Sequence, residues 1–138
     1  MVMGKNSEIN ILVVDDDADC LKLVQTVLKA QGFQVAGAAN GEEAIKFLEN
    51  NKPSLVVLDI MMPVINGYEV AEKMKADQSL NEIPIIMLTA KSESEDIMKG
   101  YGDYKVDYYI TKPFNGRQLV SGVRLVLGIA DDIPSSQA

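Results

Sequence analysis

The stretch INILVVDDDADCLKLVQTVLKAQ, residues 9–31, carries the pattern that decides the fold. Ile9 to Val14 is a short apolar run of strand type, and it ends directly in Asp15-Asp16-Asp17. From Ala18 to Gln31 the apolar residues recur every three or four positions, as on one face of a helix. The stretch therefore predicts a strand followed by a helix, with acidic residues where the two meet.

The strand-then-helix pattern recurs four more times. Further strands are predicted at Phe33 to Ala38, Leu55 to Leu58, Ile83 to Leu88 and Tyr108 to Thr111. Further helices are predicted to open at Asn40-Gly41-Glu42-Glu43, to run from about Gly67 to Ala76, from Glu93 to about Tyr101, and from Gly116 to Leu127. Five strands alternating with five helices over short loops require a parallel sheet with right-handed crossovers and helices on both faces. The fold class is therefore doubly wound α/β.

The composition of the chain limits which classes of function are possible. With 138 residues and 47% hydrophobic residues, the chain is sized for one domain, predicted at 9–128 between flexible tails at 1–8 and 129–138. The net charge of −7 argues against direct contact with nucleic acid or an anionic membrane. Cys20 is the single cysteine, so an internal disulfide is excluded, and we expect it to fill core space. With no long apolar stretch, a cytoplasmic location is expected.

The side chains that could bind a ligand or react are found at the ends of the predicted strands. In an open parallel α/β sheet, ligands bind beyond the carboxyl ends of the strands. The residues at those ends are Asp15-Asp16-Asp17, Asp59, Thr89-Ala90 and Lys112-Pro113. Carboxylates crowded at one rim repel each other unless a cation lies among them. All candidate ligands are oxygens and the chain has no histidine, which favours Mg²⁺ over zinc or a caged Ca²⁺.

Each of these residues also has an ordinary explanation. An acidic run is often a solvated turn or a helix cap, and we expect Asp17 to cap the first helix. Asp59 alone could be a turn residue, and Thr89 a helix start. The functional interpretation depends on finding these residues together, because all of their positions fall at strand ends of one predicted sheet.

Four blocks carry a family resemblance. They are ILVVDDD at Ile11–Asp17, LDIMMP at Leu58–Pro63 with Asn66-Gly67 following, MLTAK at Met87–Lys91, and YITKPF at Tyr109–Phe114. In this order and spacing the chain resembles the receiver domain of two-component response regulators, the chemotaxis-regulator-like superfamily, from about Ile9 to Gly128. The resemblance implies a flavodoxin-like sheet of order 2-1-3-4-5.

The resemblance also implies residue roles. Asp59 would be the phosphoacceptor, with Mg²⁺ held by Asp15, Asp16, Asp59 and the backbone carbonyl of Met61. Lys112 would bind the phosphoryl group, and a cis Lys112-Pro113 peptide is expected. Thr89 would be the switch hydroxyl, and Tyr109 the aromatic that turns inward when Thr89 moves.

The implied function is a signalling switch that catalyses only its own phosphorylation and slow autodephosphorylation. A sensor histidine kinase or phosphotransfer protein would donate the phosphoryl group. Phosphorylation would change the surface formed by the fourth helix, fifth strand and fifth helix, which an unidentified protein target reads. A phosphorylation-dependent homodimer is also compatible with this scheme.

Two departures and two rival functions remain open. Met61 has an apolar side chain that cannot orient a hydrolytic water, so we predict slow loss of the phosphoryl group. Gly100 to Val106 departs from the family pattern, so we expect the fourth helix to end early or to be irregular. The rivals are a receiver-like interaction module without phosphotransfer, and a haloacid-dehalogenase-like phosphohydrolase that uses Asp15 as its nucleophile.

Overall fold

One parallel sheet forms the centre of the molecule. The structure is a computed structural model that describes residues 7–90 and 106–129. Its strands are β1 (Asn10–Val14), β2 (Gln34–Ala38), β3 (Leu55–Asp59), β4 (Ile85–Ala90) and β5 (Tyr108–Lys112). Its helices in these ranges are α1 (Ala18–Ala30), α2 (Gly41–Asn50), α3 (Gly67–Lys75) and α4 (Gly116–Leu127).

The strand order is β2-β1-β3-β4-β5, and every neighbouring pair is parallel. The doubly wound α/β prediction is therefore confirmed, with the three continuously apolar strands at its centre. Three predictions fall mostly outside the described residues. They are the helix at Glu93 to about Tyr101, the departure from regular helix at Gly100 to Val106, of which only Val106 is described, and the two tails.

Helices cover both faces because strand side chains alternate in direction. On one face Leu12, Val14, Val56 and Leu58 pack with residues of α2 and α3. On the other face Ile11, Val13, Leu55 and Val57 pack with residues of α1 and α4. The middle strands are buried on both sides, which explains why their sequences are apolar without interruption.

Side-chain caps fix where the helices begin. Asp17 accepts from the backbone N–H groups of Asp19 and Cys20, so the prediction that it caps α1 is confirmed. Asn66 and Asn115 cap α3 and α4, each in a reciprocal capping box with the residue three positions later. Asp17 and Asn115 follow the ends of β1 and β5 by three residues, whereas Asn66 follows the end of β3 by seven, so the loop after β3 is the longest of these three.

The strand boundaries differ from prediction at the site. Asp59, Thr89 and Lys112 belong to β3, β4 and β5 rather than to the loops that follow. The register carries the ladder to these residues, pairing Asp59 with Leu88 and Ala90 with Lys112. The backbone that carries these three side chains is therefore fixed by the hydrogen bonds of the sheet.

None of the helices within the described ranges is long and apolar enough to cross a membrane.

Candidate functional site

Three carboxylates converge where β1 and β3 end. Val14 pairs with Leu58 in the register, so Asp15 comes level with Asp59 at the rim of the sheet. One carboxylate oxygen from each of Asp15, Asp16 and Asp59 lies within 4.8 Å of the others. The sequence predicted that these side chains meet, and the structure brings them together.

Two of the three carboxylates are removed from water. Asp15 is fully buried and Asp59 is 6% exposed, whereas Asp16 is exposed. The backbone N–H of Asp17 donates to Asp15 Oδ1 at 2.9 Å, which orients that carboxylate. Buried carboxylates need a compensating positive charge, because burial penalises the ionised form.

Lys112 supplies part of that charge. Its Nζ lies 3.2 Å from Asp15 Oδ2 and 3.4 Å from Asp59 Oδ1. Burial alone lowers the pKa of this ammonium, but the Asp59 and Asp15 carboxylates outweigh it and raise the pKa above its ordinary value. Lys112 therefore stays protonated and bridges the two acids.

One ammonium does not balance three acids. Burial, and then repulsion from Asp15, raises the pKa of Asp59 to about 7 even though Lys112 opposes the shift. The cluster therefore has room for further positive charge, and its ligand atoms are all carboxylate oxygens. A hard divalent cation such as Mg²⁺, which prefers oxygen ligands, fits this donor set.

The other predicted site residues take these positions. Thr89 lies at the end of β4, is fully buried, and its Oγ1 donates to Ala90 O at 3.2 Å. Tyr109 on β5 is half-buried against the α2–α3 side of the core. Met61 follows Asp59 by two residues, with its side chain 62% exposed. The Lys112-Pro113 peptide bond is cis, as the resemblance implies.

The loop from Ile60 to Asn66, here called the acceptor loop, is held tightly against Asp59. Gly67 N donates to Ile60 O at 2.9 Å, and Ile60 N donates to Leu88 O at 3.1 Å. A Cβ on Gly67 would collide with the Asp59 backbone oxygen and lie 2.9 Å from Ile60 Cα. Sequence reasoning missed this packing role, although Asn66-Gly67 was part of the motif.

Cys20 lies nearer the site than the sequence indicated. It is half-buried and packs against the core on the α1–α4 side, as predicted. Burial, and then a hydrogen bond to Asp15, raises the pKa of its thiol to about 12. The thiol is therefore protonated at neutral pH and is a neighbour of the Asp15 carboxylate.

Comparison with known proteins gives consistent relatives. The model of the response regulator receiver domain matches residues 11–124. The ycf27 protein of Pyropia yezoensis is 41% identical over 132 residues, and the DNA-binding response regulator MtrA of Mycobacterium tuberculosis is 40% identical over 125 residues. These matches cover 96% and 91% of this chain but 53% of each relative. The chain thus spans about half the length of the curated relatives it matches.

Solved structures give the same result. The receiver domain of a signal transduction histidine kinase from Syntrophus aciditrophicus has a TM-score of 0.80 at 31% identity, covering 91% of this chain and 95% of that one. The chemotaxis response regulator CheY4 of Vibrio cholerae has a TM-score of 0.80 at 27% identity, covering 86% of this chain and 98% of its own.

Proposed function

The chain belongs to the family of response regulator receiver domains, and from that membership we propose that Asp59 accepts a phosphoryl group from a histidine kinase or phosphotransfer protein. The observation that carries the proposal is the position of Asp59. Its carboxylate is nearly buried, lies among Asp15 and Asp16, and is 3.4 Å from the Lys112 ammonium. A nucleophile held among charged partners at a strand end is suited to phosphoryl transfer, which depends on positioning and electrostatics.

The transfer is an in-line displacement. An oxygen of the ionised Asp59 carboxylate forms a bond to phosphorus while the bond from phosphorus to the donor imidazole nitrogen breaks. The imidazole leaves with the bonding electron pair and takes up a proton from solvent. The product is an acyl phosphate on Asp59.

The neighbouring residues provide the charge balance for this step. Lys112 pairs with a phosphoryl oxygen in place of the carboxylate oxygen it now contacts, and the Thr89 hydroxyl donates to another. Mg²⁺ held by Asp15, Asp16, Asp59 and the Met61 carbonyl would supply positive charge to both the carboxylates and the phosphoryl oxygens. Removing any of these charges raises the barrier.

Phosphorylation of Asp59 would change the shape of one surface of the domain. Movement of Thr89 toward the new phosphoryl group frees space beside Tyr109, which belongs to the neighbouring strand. The face that includes β5 and α4 then presents a different shape to a protein target or to a second copy of the chain. The chain acts as a signalling switch and turns over no external substrate.

The relative MtrA is named as DNA-binding, but it is about twice as long as the matched segment. The net charge of −7 opposes contact with a phosphate backbone. We therefore assign no direct nucleic-acid contact to the receiver domain itself.

The test is incubation with acetyl phosphate, with and without Mg²⁺, followed by intact-mass measurement. We expect a gain of one phosphoryl group that requires Mg²⁺ and is lost in Asp59→Asn. The matched control is Asp77→Asn, which removes an exposed acid at the turn after α3 and should leave labelling intact. Absence of labelling would favour the interaction module. Labelling that survives Asp59→Asn but not Asp15→Asn would favour the hydrolase.

A further inference from the structure

The acceptor loop contains a strained turn. Ile65 N donates to Pro63 O at 2.8 Å, which closes a three-residue turn, and Val64 at its centre has φ 69°. No other non-glycine residue in the described ranges has a positive φ. A γ-turn with positive φ at its centre is the rarer and more strained form, and a β-branched side chain adds to the strain. Glycine would fit this position better.

Packing does not account for Val64 either. The acceptor loop is anchored by its other apolar residues, since Ile60, Met62 and Ile65 all join the core on the α2–α3 side. Val64 points the other way and is 96% exposed, the most exposed of the large hydrophobic residues described. Its side chain therefore adds nothing to the folded core while it strains the backbone.

The loop is held firmly, so Val64 is presented at a fixed place. A Cβ on Gly41 would lie 2.7 Å from both the side chain and the carbonyl oxygen of Ile65, so α2 closes directly onto the loop. On the other side Gly67 packs against the backbone of Asp59 and Ile60. Strain held in place by the surrounding structure marks a functional position more often than an accident.

From this arrangement we propose that Val64, with the exposed Met61 beside it, is an apolar contact for the protein that donates the phosphoryl group. The inference rests on the proposed function. Asp59 is only 6% exposed, so a donor histidine must enter at the rim, and the protein carrying it covers the acceptor loop that begins at the next residue. A target protein that binds the face of β5 and α4 does not need to cover the acceptor loop.

The charge of the rim favours an apolar contact. On the β1 side of the site the exposed charged side chains, Asp16, Asp17 and Asp19, are all acidic, and the phosphoryl group on the donor is anionic too. These like charges oppose attraction on the β1 side, so an apolar contact from the neighbouring acceptor loop would add affinity there by burying apolar surface. The fitting partner is a phosphohistidine protein with an apolar patch beside its histidine.

The experiment compares two phosphodonors on variants of Val64. The protein donor is the fastest of a panel of purified, autophosphorylated histidine kinases, selected on the unsubstituted chain, and the small donor is acetyl phosphate. Val64→Thr keeps the shape and the strained backbone but replaces a methyl group by a hydroxyl. Val64→Ile keeps the apolar character. Val64→Gly removes the side chain and relieves the turn.

We expect Val64→Thr to lower kcat/KM for transfer from the kinase about fivefold and Val64→Gly about tenfold, with Val64→Ile near the unsubstituted rate. Labelling by acetyl phosphate should be unchanged in all three. Val64→Gly should also raise the melting temperature by a few degrees, so that stability and transfer change in opposite directions. The matched control is Leu125→Gln, which changes an exposed leucine near the far end of α4 and should leave both donors unaffected.

Each other result overturns a specific claim. Equal kinase rates for the threonine and isoleucine variants would overturn the contact, as would a chain labelled by acetyl phosphate but by no kinase of the panel. Loss of binding to a target of the phosphorylated form, with kinase transfer intact, would reassign the patch to that target. Failure of acetyl phosphate to label the unsubstituted chain would instead overturn the proposed function.

Discussion

Asp59 carries a buried carboxyl group, and its burial opposes ionisation. Its pKa is raised to about 7 by loss of water contact and by Asp15, while Lys112 pulls it down. Near neutral pH, in the absence of a metal, Asp59 is therefore close to the balance between its protonated and its ionised form. The sequence indicated which residues meet here, because motif and strand position agree, but it could not give the burial that sets this balance.

Metal-free stability is expected to depend on this carboxyl group. In the unfolded chain Asp59 loses its proton near 3.8, whereas in the folded chain it keeps it to about 7. Between these values the folded state binds more protons, so stability falls as pH rises, by at most roughly 1.4 kcal/mol per pH unit. Above about 7 the loss is complete.

Asp59→Asn should remove that loss. With a chelator present, we expect the variant to match the unsubstituted chain near pH 4 and to exceed its stability at pH 8 by on the order of 2 kcal/mol. Urea unfolding at both pH values measures the difference. A variant less stable than the parent at pH 8 would show that the bond to Lys112 outweighs the repulsion.

Met61 should govern how long the phosphoryl group persists. Its exposed apolar side chain lies two residues beyond the acceptor and offers no hydrogen bond to an attacking water. We expect Met61→Asn to shorten the lifetime of the phosphorylated form several-fold, and Met61→Leu to leave it unchanged. Phosphate release after removal of acetyl phosphate gives the rate. A half-life of seconds in the parent would contradict the prediction.

At the scale of elements, the site is built from strand ends and the short loops that follow them. The alternation of patterns predicted every described strand and helix to within about two residues. The sequence pattern predicts ends for β3, β4 and β5 that are one or two residues too early, because polar residues normally signal a loop. Here the ladder continues through Asp59, Thr89 and Lys112. The turn at Val64 could not be predicted, since valine is a poor residue for positive φ.

Two glycines at equivalent helix positions provide a matched test of the acceptor loop. Each is the first residue after an asparagine cap, but a Cβ on Gly67 would collide with the backbone of Asp59 and Ile60. A Cβ on Gly116 would make only ordinary contacts, 3.7 Å or more from Val27. We expect Gly67→Ala to cost about 1–3 kcal/mol and Gly116→Ala to be neutral or to stabilise by up to ~1 kcal/mol. Denaturant unfolding compares them, and equal costs would refute the tight packing of the loop.

At the scale of the whole molecule, the sheet order brings the site together. Asp15, Asp59 and Lys112 are far apart in sequence but meet because β1 and β3 are neighbours and the Lys112 side chain reaches across β4. Alternating elements predicted a parallel sheet, and the order followed from family resemblance rather than from physical argument. The approach of Cys20 to Asp15 was not predictable, because it depends on how α1 is placed over the sheet.

Metal binding should be visible in global stability. A cation that binds only the folded state stabilises it by about 2.7 kcal/mol at one hundred times its dissociation constant. We expect saturating Mg²⁺ to raise the melting temperature more at pH 8 than at pH 5, where protonated Asp59 competes with the metal. Thermal unfolding with Mg²⁺ or chelator measures this at matched ionic strength. Equal shifts at both pH values would indicate that the metal binds elsewhere.

The contacts of Lys112 with the two acids join residues that are far apart in the chain, 97 residues from Asp15 and 53 from Asp59. While the protein is being synthesised, both acids leave the ribosome long before their ammonium partner. A nascent chain that ends before β5 therefore lacks the counter-ion that keeps the acceptor carboxylate in place. If Asp59 accepts a phosphoryl group as proposed, a chain would become able to do so only after β5 has emerged and joined the sheet, and incomplete chains would take no phosphoryl groups from the donor.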